Sequence, residues 1–77
     1  MPDKEKFKFI LQIKIPGIIG LIAEETGLDL ETAARLFYSS EIYRLLEDEE
    51  TKLWGESNHY LAHQFMKEYQ GGKESGD

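Results

Sequence analysis

The chain has 77 residues, no cysteine and a net charge of -6. A chain of this length makes one domain that buries only about 60% of its unfolded surface, so its stability is modest without a partner. The absence of cysteine excludes disulfides and thiolate metal sites and suits the cytoplasm. The charge is uneven: residues 1–15 carry four lysines against Asp3 and Glu5, whereas residues 16–77 carry five basic and thirteen acidic side chains. An acidic body of this kind disfavours nucleic acid and anionic membranes, although the basic start could still touch phosphate.

The opening M-P-D-K-E-K lacks the layout of a signal peptide. In Phe7–Pro16, F-K-F-I-L-Q-I-K-I-P, the odd positions Phe7, Phe9, Leu11, Ile13 and Ile15 are all apolar. The even positions Lys8, Gln12 and Lys14 are polar, with Ile10 the exception. Such alternation predicts a half-buried strand. No comparable second strand follows, so the strand is expected to pair antiparallel with its copy in a homodimer. Pro16 then opens a short helix with Ile18, Ile19 and Ile22 at helical spacing and Gly27 as its C-terminal cap. The apolar run Ile10–Ala23 is too short and too polar to cross a bilayer.

Asp29 is placed as the N-cap of a second helix, whose stripe is Leu30, Ala33, Ala34 and Phe37. Ser39 and Ser40 punctuate it, and a third helix through residues 41–50 turns Ile42, Leu45 and Leu46 inward. Whether the second and third helices are one is left open. Thr51–Gly55 reads as a connection with Leu53 and Trp54 tucked onto the body. Ser57 caps a last helix bearing Leu61, Phe65 and Tyr69 on one face. The expected fold is therefore α+β and mostly α: one domain over 1–70, with one N-terminal strand, three to four short helices and a disordered tail over 71–77.

Few residues suggest chemistry. His59 and His63, one turn apart, are the metal candidates, and Glu56 one turn earlier could add a carboxylate, but no motif supplies a third ligand. No nucleophile motif or phosphate loop occurs, so neither catalysis nor a cofactor is expected. Tyr38, Tyr43 and Trp54 are the aromatic candidates for an exposed surface, because such rings bury area while keeping a polar tip. Within the acidic run Glu47–Glu50, Glu47 and Glu49 are candidate contacts for a basic partner.

Three resemblances follow from these stretches. L-Q-I-K-I-P and G-L-D-L-E-T-A-A-R resemble the strand end and second-helix start of ribbon–helix–helix proteins. That likeness implies DNA reading through Lys8, Gln12 and Lys14, against an apolar Ile10 and the acidic Asp29 and Glu31 where phosphate contacts belong. Ala23, Gly27 and Leu36 roughly match helix-turn-helix spacing, but that recognition helix would meet DNA with one arginine and two acids. Phe37, Tyr38 and Ser40, followed by Tyr43, Leu46, Glu47, Glu50, Thr51, Lys52, Leu53 and Trp54, resemble an F-Y-x-S and Y-x-x-L-E-x-x-E-T-K-L-W pattern. It is shared by a family of small uncharacterised bacterial proteins. This similarity implies a compact domain, and some such proteins look like parts of toxin–antitoxin-type loci. The expected function is a partner-dependent protein–protein interaction module, antitoxin-like or adaptor-like; the alternative is a ribbon-type DNA-binding regulator.

Overall fold

A computed structural model describes residues 3–74. The order is α1 (Lys4–Thr26), α2 (Leu30–Tyr38), α3 (Glu41–Leu46), two single 3₁₀ turns (Glu49–Thr51 and Leu53–Gly55) and α4 (Asn58–Glu74). No strand occurs among the described residues, so the fold is all-α and the expected N-terminal strand, with its dimer seam, is corrected to a helix.

The physical reason lies in the spacing. Phe7, Leu11, Ile15, Ile18 and Ile22 recur every three or four residues, the stripe of a core-facing helix. Ile18 and Ile22 are fully buried, and Leu11 and Ile15 pack against the same core. A period of two also satisfies every fourth residue, so alternation over nine positions hides the longer period. The helix begins early because Asp3 is extended at the N-cap and its carboxylate accepts from the Lys6 amide at 2.8 Å, with Glu5 in the first turn. Pro16 sits inside α1 instead of opening it. Its ring and the Gln12 position are exposed, so water can serve the carbonyl that proline leaves without a donor. The expected seam residues part company: Phe7, Leu11 and Ile15 are half-buried, while Phe9 and Ile13 are 62% and 61% exposed.

Gly27 ends α1 in the left-handed region, φ 77°, and its amide bonds back to the Ala23 carbonyl, as a C-terminal glycine should. Asp29 is the extended N-cap residue of α2, and the Thr32 hydroxyl holds its carboxyl below the usual value. Ala33 and Phe37 are buried as their spacing requires, but Leu30 faces solvent. The second and third helices are separate. Ser39 and Ser40 turn their hydroxyls back onto the Arg35 and Phe37 carbonyls, at 3.0 and 2.6 Å. The Ser40 hydroxyl also accepts from the Tyr43 amide, so one serine closes α2 and caps α3.

α3 ends at Leu46, four residues short of the expected limit, and the acidic run passes into a 3₁₀ turn. Thr51 fixes that turn by donating to the Leu45 carbonyl at 2.7 Å and the Asp48 carbonyl at 2.9 Å. Ser57 caps α4 by accepting from the Tyr60 amide. Leu61, Ala62 and Phe65 of α4 join Ile18, Ile22, Phe37 and Leu46 in a single core. α4 continues to Glu74, and residues 75–77 of the expected tail lie outside the described residues.

Asn58, at the start of α4, lies against Gly17. Further on, Glu24 and Glu25 share a groove with Lys67 and Gln70. The two helices therefore advance in the same direction. The first half of α1 precedes the start of α4, supported on its inner side by the Leu53–Gly55 turn, where Phe7 meets Trp54 edge-on at 6.3 Å.

Candidate interaction surface

The serine corner between α2 and α3 brings two tyrosines together. Tyr38 is the last residue of α2 and Tyr43 lies in α3. The reversal at Ser39–Ser40 sets their rings 4.9 Å apart and nearly perpendicular, the favoured edge-to-face arrangement. Beneath them the buried Phe37 ring is 5.5 Å from Tyr43 and 6.1 Å from Tyr38. The pair is thus anchored to the core while Tyr38 remains 50% exposed.

Glu47 completes the group. One turn after Tyr43, its carboxylate accepts from the Tyr43 hydroxyl at 2.9 Å. Burial, and then this hydrogen bond and the charge of Glu47, push the Tyr43 hydroxyl up to about 12. The neutral phenol is therefore the form that the fold favours. Because the folded value lies above the usual 10.0, this contribution to stability is complete below about pH 10 and is lost as pH rises toward 12. Tyrosinate absorbance against pH should show a late-titrating component that is lost in Tyr43→Phe, and stability should fall across that window in the wild type more steeply than in the variant. A Tyr43 that titrates near the ordinary 10.0 would contradict the hydrogen-bonded geometry.

The other candidates are placed elsewhere. Trp54 packs on Phe7 of α1, and its indole N–H donates to the Glu49 carbonyl at 2.8 Å. Its polar tip is thereby satisfied within the chain, and Glu49 serves through its backbone. Of the five proposed partner-binding residues, Tyr38, Tyr43 and Glu47 come together, and Trp54 and Glu49 form a separate structural pair.

Lys8, Gln12 and Lys14 do not share one strand face. At about 100° per residue, Lys8 and Gln12 are neighbours on the exposed side of α1, while Lys14 turns more than a quarter-circle away and is half-buried. A two-stranded ribbon is not available to this segment.

His59 and His63 are exposed along α4 and, with Lys67 of the same helix, line a groove of about 720 Å³ against Glu24 and Glu25 of α1. Among the described residues no group of three His, Cys, Asp or Glu side chains could hold a metal ion.

A residue that sequence spacing did not single out is Glu68 of α4. Its two carboxylate oxygens accept from the amides of Glu41 and Ile42 at 2.8 and 3.0 Å. With Ser40 on the Tyr43 amide, the first three free amides of α3 are all satisfied, and the tyrosine corner is tied to α4.

Searches of family models, curated proteins and solved structures find no match to this chain. No helix among the described residues is long and apolar enough to cross a membrane.

Proposed function

We propose that this chain is a non-catalytic protein-binding module, adaptor-like or antitoxin-like, that works in the cytoplasm. Its partner docks on the corner formed by Tyr38, Tyr43 and Glu47. The observation that carries this reading is the core-anchored tyrosine pair, with Tyr38 exposed, Tyr43 half-buried beside it and a carboxylate at its edge. Rigid aromatic side chains with a polar tip lose little entropy on binding and are over-represented among the residues that dominate interface energies. Residues 16–77 hold an excess of eight acidic side chains, which favours a partner presenting lysine or arginine and speeds its approach at low salt.

Co-purification from the native host tests this with Tyr38→Ala/Glu47→Lys, a variant that changes two exposed positions. A protein that returns with the wild-type chain and is lost with the variant supports the reading. A wild-type chain that returns alone, or a partner that both chains retain, overturns it.

A further inference from the structure

α1 is apolar on two opposite sides, and its own chain covers only one. At about 100° per residue, Phe9, Ile13, Pro16 and Gly20 fall within roughly 60° of one another, opposite Leu11, Ile18 and Ile22. Phe9, Ile13 and Pro16 are exposed. An apolar stripe along a helix ordinarily faces a packed partner. Gly20 adds an independent sign. Mid-helix glycine weakens a helix relative to alanine, yet a Cβ at this position would meet no atom within 4 Å. Nothing in the chain's own packing asks for a glycine there.

We infer that this outer face of α1 seats the α1 of a second copy, running antiparallel about a twofold axis between Lys14 and Ile15. In that register Phe9 lies opposite Gly20 of the second copy, and Ile13 lies opposite Pro16. The largest side chain of the stripe therefore meets the position with no side chain, twice. Charge follows the same symmetry. Lys6 and Glu24 are about five full turns apart, so they share one edge of the stripe. Antiparallel helices set like edges side by side, which places Lys6 within about one residue's rise of Glu24 of the second copy, again twice. A parallel pair would instead oppose Phe9 to Phe9 and Gly20 to Gly20, leaving a gap at the glycines, and would keep Lys6 about five turns from Glu24 of the second copy. The first half of α1, which precedes the start of α4, leaves room alongside for the second copy. This seam is helical throughout and involves none of the Tyr38–Tyr43–Glu47 corner, so either surface can fail alone.

Sedimentation equilibrium at physiological salt tests the pairing. A single helix pair is a small interface, so the wild type should show a dimer that dissociates on dilution in roughly the micromolar range. Lys6→Glu and Glu24→Lys should each weaken it about tenfold, and the double reversal Lys6→Glu/Glu24→Lys should restore it, because only the antiparallel register brings these two together. Phe9→Lys, at an exposed position, should give a folded monomer by circular dichroism. Gly20→Leu should weaken the dimer while leaving the monomer's helix content intact. A wild type that stays monomeric at all concentrations, or a double reversal no tighter than the single ones, overturns the pairing. A monomer whose outer stripe is covered by a different protein overturns it as well.

Discussion

Phe37→Ala is expected to unfold much of the population at 37 °C and to abolish partner binding with it. Phe37 is fully buried, and its ring lies within 6.1 Å of those of Tyr38, Tyr43 and Phe65. It is therefore the point where α2, α3 and α4 meet. Truncating a buried phenylalanine costs about 3–5 kcal/mol in transfer and cavity terms. A domain of this length holds about 4–12 kcal/mol in total, so the substitution removes a large share. Chemical denaturation followed by circular dichroism should give a midpoint far below that of the wild type. Phe37→Leu, which keeps most of the volume, should lose much less but loosen the tyrosine pair that rests on the ring. A Phe37→Ala protein with wild-type stability would mean that the three helices do not share this centre.

The second large effect belongs to Glu68. Its carboxylate is the long-range cap of α3, bonded to the amides of Glu41 and Ile42. α3 is only six residues long, too short to persist without such support. Hydrogen bonds to a charged group contribute about 1.5–3 kcal/mol when sheltered. Glu68 is exposed, so about 1–2 kcal/mol is the expected cost of Glu68→Ala after solvent screening. At roughly 4–8 °C per kcal/mol for a small domain, the melting temperature should drop by about 5–15 °C. Glu68→Gln keeps an acceptor and loses the charge, and should fall between the two. Because the cap fixes the first turn of α3, Glu68→Ala should also expose the Glu41 and Ile42 amides to faster hydrogen exchange. Unchanged exchange at those two amides would show that the cap does not form.

The punctuation of the fold was legible residue by residue. Gly27, Asp29, Ser40 and Ser57 each stand at an end of a helix, because each does something there that few residues do: adopt positive φ, extend at a cap, or offer an oxygen to a free amide. The first element was not legible, since Phe7, Leu11 and Ile15 satisfy a period of two and a period of four equally. The isoleucines and Pro16 pull local preference away from helix, and burial of Ile18 and Ile22 in the shared core, with Ile15 packed against it, outweighs them. Asp3 and Glu5 carried the contrary signal, a cap ahead of Phe7. At the candidate surface, Tyr38 is the exposed aromatic that its residue type suggested, while Tyr43 is half-buried; the spacing of four between Tyr43 and Glu47 already implies contact on a helix. Trp54 could not be separated from them, because its partner Phe7 is 47 positions away in the chain. Glu68 escaped notice for the same reason: its bonds reach back 26 and 27 positions, and no local pattern marks such a residue.

Backbone chemical shifts and sequential amide contacts over residues 4–26 test the continuous α1 on which both the core and its outer stripe depend. Helical shifts running without interruption from Lys4 through Pro16 to Thr26, with the Gln12 carbonyl free of an amide partner, are the expected result. Extended shifts over Phe7–Ile15, or cross-strand contacts between copies in that segment, would contradict it.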